Sequence, residues 1–343
     1  MKSAGMPPDE AARLAALEQT HLMFSPAEER FDRVARLAAH VFDTPMALIT
    51  LVDGTRQWFK ASYGVDLRET PREVAFCAHA IADGDRLVVE DASTDERFAD
   101  NPLVTGAPNI RAYAGEVIRS PSGHALGTLC VLDSKPRRFS PEALELLQDL
   151  SKIAESEVRR SETGGAQVKF LHEMETEVRA HALDEVTRCW NHDAMVELLM
   201  RQADLAQASG TAFAIGLIGL ERFRQVSTKL GAEARDQVLG EMASAIRSAL
   251  FEDDALGRYD AEHFVVLLPG VDERAARAGA ARISKAVVSR TFKAGRIGVT
   301  LGVTTGLAIW SRGTSLVNLV EAADRALKLA RERKEIWAVA QAV

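Results

Sequence analysis

The chain has 343 residues, of which 47% are apolar and 27% charged; at one hydrophobic core per ~100–200 residues, this predicts two globular domains. A formal net charge of −7 excludes the broad basic footprint that nucleic-acid phosphates require, so no nucleic-acid partner is expected. No run of ~18 uncharged apolar residues occurs, and Asp9, Glu10, Arg13 and Glu18 stand where a signal peptide would need an apolar stretch. A soluble, cytoplasmic protein with no membrane partner is therefore expected. Cys77, Cys130 and Cys189 are too few and too scattered for a disulfide framework or a thiolate metal site.

Residues 1–24 read as an N-terminal extension. Ser25-Pro26-Ala27-Glu28 then has the form of a helix start, with Ser25 as cap, Pro26 in the first turn and Glu28 closing a capping box. The helix that follows is expected to bury Phe31, Val34, Leu37, Ala38 and Val41. Met46 to Val52, the turn signal Asp53-Gly54 and the alternating Gln57 to Ser62 predict a β-hairpin. A short helix around Ala75 to Ala82 and a strand at Leu87 to Glu90 come next. Arg111 to Ile118 and Leu126 to Leu132 predict a second hairpin around Pro121-Ser122-Gly123. Helices beside hairpin-connected strands make an α+β domain with an antiparallel sheet, over residues 25–155.

Ser140-Pro141-Glu142 opens a further helix, and a helical linker is expected over 156–182, broken at Gly164-Gly165. Leu146, Leu150 and Ile153, then Leu171, Met174 and Val178, recur at the four- and three-residue spacing of a coiled-coil seam. A surface helix packed on its own domain fits so few heptads equally well. Residues 183–343 predict an α/β sandwich: strand Thr211 to Leu220, helix Ala232 to Leu250, and short strands Leu256 to Tyr259 and Phe264 to Leu268. Helix Val271 to Ser289, strand Val299 to Ala308 and helix Leu316 to Arg333 complete it.

Between the two short strands lies the acidic turn Asp260-Ala261-Glu262-His263-Phe264. A rigid turn carrying carboxylates is a sound place to hold Mg²⁺ against a nucleoside triphosphate, because hard cations prefer carboxylate oxygens. With Arg258-Tyr259 before it and Val265-Val266-Leu267-Leu268 after it, the stretch resembles the R-Y-G-G-[DE]-E-F signature of the GGDEF domain of diguanylate cyclases. Asp184-Glu185-Val186-Thr187 with Asn191 resembles that family's D-x-L-T-x-x-x-N entry motif. Phe223, Gly231, Asp236, Val238 and Leu239, then Ala323-Asp324-Arg325-Ala326-Leu327, match further positions.

The resemblance implies a nucleotidyl-cyclase-like fold, and it also marks departures at functional positions. The two signature glycines correspond to Asp260 and Ala261, the metal-ligating acid to Glu262, and the next acid to His263. The family's other metal-ligating Asp falls on Gly219, with Glu221 two residues on and on the same strand face. The guanine-recognising Asn and Asp correspond to Ser227 and Asp236. The phosphate-binding Lys corresponds to Arg331, and the following G-R-N to Lys334-Glu335-Ile336. Phe251-Glu252-Asp253-Asp254, where the product-binding R-x-x-D would lie, has no Arg. The cofactors implied, if the nucleotide site is retained, are Mg²⁺ and GTP.

In the first half, Gln57-Trp58-Phe59-Lys60, the block Thr70 to Ile81, Asp95 to Pro102 and Gly127 to Asp133 resemble the successive signatures of GAF domains. This resemblance implies a sensor pocket for a small-molecule ligand on one sheet face, with Phe76, Cys77, His79, Arg111, Tyr113 and Cys130 as its candidates. The combined reading is a homodimeric regulator. Its GAF-like sensor controls a catalytically inactive GGDEF-like output that acts through a nucleotide or a protein partner in cyclic di-GMP signalling. The alternative is an active diguanylate cyclase converting two GTP to cyclic di-GMP.

Overall fold

The computed structural model describes residues 2–160, 170–171, 173–174, 176–295 and 297–341, the side chains at 160, 176, 177, 224, 226, 227 and 230 excepted. The chain divides into two compact units, Met1–Thr163 and Gly164–Val343.

The first unit contains α1 (Glu10–Gln19), α2 (Glu29–Val41), β1 (Met46–Val52), β2 (Arg56–Tyr63), β3 (Glu69–Pro71), α3 (Phe76–Asp83), β4 (Arg86–Val89), α4 (Pro102–Thr105), β5 (Ala112–Arg119), β6 (Ala125–Asp133) and α5 (Pro141–Arg160). Its strands form one antiparallel sheet in the order β3-β2-β1-β6-β5-β4. The first hairpin closes as its turn residues require, with Asp53 Oδ1 accepting from the Thr55 and Arg56 amides at 2.7 and 2.6 Å. Strand alternation sorts the sheet: Met46, Leu48, Cys130 and Leu132 face the core beneath α3, while α2 and α5 pack on the other face.

The helix start expected at Ser25 is not formed. Helix α2 begins at Glu29, with residue 28 still extended. The reason is Lys60, only 1% exposed in β2: its ammonium donates to Ser25 Oγ at 2.5 Å and Pro26 O at 2.7 Å and pairs with Glu28. A buried cation left without oxygens costs more than a helix cap contributes. The N-terminal extension packs on this unit. Arg13 of α1 is fully buried and donates to Val52 O at 2.7 Å and Ala125 O at 3.2 Å, while its other nitrogens hold Glu10.

The second unit contains α6 (Thr176–His181), α7 (His192–Ser209), β7 (Phe213–Leu220), α8 (Phe223–Arg247), β8 (Ala255–Arg258), β9 (His263–Pro269), α9 (Glu273–Val288), β10 (Phe292–Ala294), β11 (Ile297–Val299), β12 (Val303–Ile309), α10 (Leu316–Arg333) and β13 (Trp337–Gln341). Its main sheet runs β13-β12-β7-β9-β8, antiparallel except for β12 with β13. Helices α8 and α9 bury Val238, Met242, Ile283 and Val287 on one face. Helices α7 and α10 bury Met195, Leu198, Leu319 and Ala323 on the other.

Three expectations change here. The helix expected from Ala232 starts at Phe223 and is interrupted at Gly231, whose φ of 84° only glycine adopts freely. The strand expected from Val299 begins at Val303, because Phe292 to Val299 fold into the small hairpin β10–β11. Of the proposed seam, Leu146, Ile153 and Val178 are exposed, Leu150 is buried, and Leu171 and Met174 pack on the second unit's core; Gly164-Gly165 lies outside the described residues.

Two predictions follow from this packing. A Cβ at Gly306 of β12 would lie 2.1 Å from Ala323 O and 2.3 Å from Leu327 N of α10. Both are backbone atoms, so Gly306→Ala must push the helix off the sheet, and denaturant unfolding should record a loss of about 3 kcal/mol. In the first unit, the hydrogen bond from Arg13, then that from Arg72, outweigh burial and hold the Glu10 carboxyl down to about 2. A carboxylate depressed in the folded state stabilises above its unfolded pKa of ~4.3 and loses that contribution as pH falls toward 2. The stability difference between the natural chain and Glu10→Gln should therefore be constant above pH ~5 and shrink below it.

Candidate functional site

The signature turn is the tip of the β8–β9 hairpin, and Asp260 ties it shut. One carboxylate oxygen accepts from the amides of Glu262 and His263 at 2.8 and 2.9 Å, and His263 Nδ1 lies 2.9 Å away. Burial raises the Asp260 carboxyl, but the Glu262 amide and the His263 ring more than offset this and hold it below its ordinary value. Amides that glycines would leave free for a phosphate are thus engaged by the turn's own side chain. Beneath the tip, Arg258 is buried over the ring of Phe264 and donates to Ala261 O at 2.5 Å. Phe264 itself is fully buried.

Position 219 lies on β7, opposite His263 of β9 and Thr304 of β12. A Cβ there would sit 2.0 Å from Arg331 Nη2, so the guanidinium from the last turn of α10 fills the space a side chain at 219 would enter. The same nitrogen lies 3.4 Å from His263 Nε2. With Nδ1–H donated to Asp260, Nε2 is the acceptor that faces the cation. Glu221 turns to β12, where its amide donates to Gly302 O at 2.9 Å and its carboxylate accepts from Thr304 Oγ1. Among the described residues no group of three or more His, Cys, Asp or Glu side chains could hold a metal ion. The donor set among the described residues does not fit the divalent metal of a nucleotide cyclase.

The remaining nucleotide-site candidates are dispersed. Asp236 on α8 is half-exposed and ion-paired with Arg235 at 2.7 Å. Ser227 lies in the first part of α8, its side chain outside the described set. Asp184 and Asn191 serve the chain itself. Asp184 Oδ1 accepts from Thr187 N at 2.8 Å, and Asn191 caps α7 by accepting from Ala194 N at 2.9 Å.

In the first unit an apolar-lined cavity lies between the sheet and α3. Phe76, Cys77, Tyr113 and Cys130 line it, and His79 and Arg111 do not. His79 Nε2 lies 3.1 Å from Lys2 O. Arg111 donates to Val104 O and Ile110 O at 2.8 and 3.0 Å. The deep polar groups satisfy one another: Thr128 Oγ1 donates to Cys77 Sγ at 2.9 Å, with Tyr113 OH 3.3 Å from the same sulfur and Thr50 Oγ1 3.2 Å from Thr128 Oγ1. Burial pushes both thiols up, yet hydrogen bonds from Cys130, Thr128, Thr50 and Tyr113 bring Cys77 below its ordinary value, while Cys130 stays high. Sequence reasoning missed Gln57 and Thr70, which also line the cavity. The available signal was Gln57's place on the inward side of an alternating strand, where an apolar residue is usual.

Comparison with known proteins gives both units a family. The GAF domain family matches residues 26–158, and the family described as diguanylate cyclase, GGDEF domain, matches residues 181–335. The chain is 33% identical over 272 residues to the cyclic di-GMP phosphodiesterase PA2567 of Pseudomonas aeruginosa, covering 78% of this chain and 43% of that one. It is 24% identical over 177 residues to the diguanylate cyclase DosC of Escherichia coli K12, covering 50% of this chain and 38% of that one. The chain thus spans less than half the length of these curated relatives. Among solved structures, the coiled coil and GGDEF domain of DgcB from Caulobacter crescentus, in complex with c-di-GMP, aligns at 24% identity and a TM-score of 0.46, covering 55% of this chain and 99% of that one. The FimX GGDEF domain of Pseudomonas aeruginosa aligns at 21% identity and a TM-score of 0.43, covering 47% of this chain and 98% of that one. The protein joins a GAF domain to a GGDEF domain.

Proposed function

We propose that the chain is a regulator in cyclic di-GMP signalling, in which the GAF unit binds a small molecule and governs a GGDEF unit that no longer condenses GTP. The names of the relatives, a cyclic di-GMP phosphodiesterase and diguanylate cyclases, support the signalling context. The observation that carries the inactive reading is the Arg331 guanidinium against Gly219. Two unit charges of like sign ~4 Å apart at an effective dielectric of ~20 repel by about 4 kcal/mol, and a divalent ion doubles that. Phosphoryl transfer needs charge neutralised on attacking and leaving oxygens, and the loss of one such electrostatic stabiliser costs ~3–4 kcal/mol of barrier. Here one metal carboxylate is absent, a cation fills its place, and the turn amides are occupied. The output is then a binding event, with a nucleotide or a protein. A homodimer suits such a regulator, and Leu37, Val41, Leu146 and Ile153 are exposed apolar side chains on the adjacent helices α2 and α5 for pairing.

The full chain incubated with GTP and either Mg²⁺ or Mn²⁺ should yield no cyclic di-GMP by chromatography. Product that disappears in Glu262→Ala would overturn the reading and make the chain a diguanylate cyclase. A second expectation concerns the cation. Because Arg331 Nη2 is the far end of a flexible side chain, Gly219→Asp should be accommodated at a cost under about 1 kcal/mol. The guanidinium then pairs with the new carboxylate, so Gly219→Asp alone should still show no Mg²⁺-dependent thermal stabilisation by GTP.

A further inference from the structure

The GAF cavity is sealed by satisfied polar groups at its floor and holds unsatisfied ones at the β2–β3 edge. Gln57 and Thr70 are cross-strand neighbours in that ladder, 4% and 6% exposed. Gln57 Oε1 and Thr70 Oγ1 have no hydrogen-bond partner among the described residues, and both side chains line the cavity. Buried polar atoms in folded proteins are almost always paired, because an orphan retains its full desolvation cost. Two orphans side by side on one wall therefore mark where a bound molecule supplies the missing hydrogen-bond partners. The rest of the lining is apolar and aromatic, including Met46, Leu48, Phe59, Phe76, Ile110 and Leu132. Among the described residues no Asp, Glu, Lys, Arg or His lines it. An anion or cation entering would lose its hydration without a counter-charge, so the lining favours a neutral occupant.

We propose that the GAF cavity binds an uncharged, largely apolar ring compound whose hydroxyl donates to Gln57 Oε1 and accepts from Thr70 Oγ1. The proposal rests on the GAF unit being the sensor and names the class of molecule it senses. A phosphorylated nucleotide falls outside that class. The satisfied groups of the floor leave the choice of ligand to two features: the apolar lining sets the body, and the paired orphans set one donor. Shape alone would admit many hydrocarbons, and the donor selects among them, since a site built to hydrogen-bond a hydroxyl rejects the analogue that lacks it.

The test uses the full chain and calorimetric titration with 2-naphthol, which is neutral at pH 7 and carries one hydroxyl donor, against 2-methoxynaphthalene, the same ring without a donor. The proposal expects 2-naphthol to bind at least tenfold more tightly, with 3′,5′-cyclic GMP unable to displace it. Gln57→Leu and Thr70→Val should each reduce the difference, and the double variant should erase it while still binding 2-methoxynaphthalene. Equal affinity for the two rings, no binding of either, or displacement by cyclic GMP would each overturn it. The first comparison needs no variant, so misfolding of a substituted chain cannot mask the outcome. Formation of cyclic di-GMP from GTP would strike the inactive-output reading and leave these affinities untouched, so the two failures are separable.

Discussion

The guanidinium of Arg331 occupies the space above Gly219, and the character of the second unit depends on that contact. Three elements converge to make it: β7 presents a residue without a side chain, β9 presents His263 opposite it, and the last turn of α10 delivers the cation. The contact is self-consistent. Asp260 holds His263 Nδ1, which leaves Nε2 toward Arg331, and the same carboxylate closes the hairpin tip through two amides. A carboxylate–imidazole–guanidinium row stands beside Gly219. Asp260, His263 and Arg331 thus form one connected charge arrangement beside Gly219.

The first unit solves the opposite problem. Its cavity is deep, apolar and neutral, and the groups that would be costly to bury have been drawn away from it. Arg111 is spent on two backbone carbonyls and His79 turns to Lys2. Cys77, Tyr113, Thr128 and Thr50 satisfy one another at the floor. What remains unmatched lies at one edge of the sheet, on Gln57 and Thr70. A ligand can shift a conformational equilibrium only by its differential affinity for the two states. Such an edge lies beside the three-residue terminal strand β3.

Much of the fold was legible in the residues. Asp53-Gly54 and the Pro121-Ser122-Gly123 turn announced the two hairpins, and α10 runs from Leu316 to Arg333 as the apolar spacing required. Local rules failed where tertiary demands outranked them. Ser25 and Glu28 have the form of a cap, but the buried ammonium of Lys60, 35 residues from Ser25, claims both. The helix start at Phe223 was hidden because a glycine at positive φ interrupts it at 231. At the site, alignment to a family signature reveals that Gly219 and Arg331 depart from the pattern. It does not reveal that they fill one volume, because 112 residues separate them and only the sheet and last helix bring them together. Likewise Phe76, Cys77, Tyr113 and Cys130 were readable as pocket residues, whereas Arg111 and His79 were misleading because each has a nearer carbonyl.

The central claim is that a charge arrangement built around Arg331 has displaced the metal centre of the GGDEF unit. Electron paramagnetic resonance of Mn²⁺ titrated into the full chain with saturating GTP tests it most directly. The account predicts no Mn²⁺ signal that depends on Glu262, with natural chain and Glu262→Ala giving the same free-ion curve. Stoichiometric Mn²⁺ bound by the natural chain and released in Glu262→Ala would contradict it.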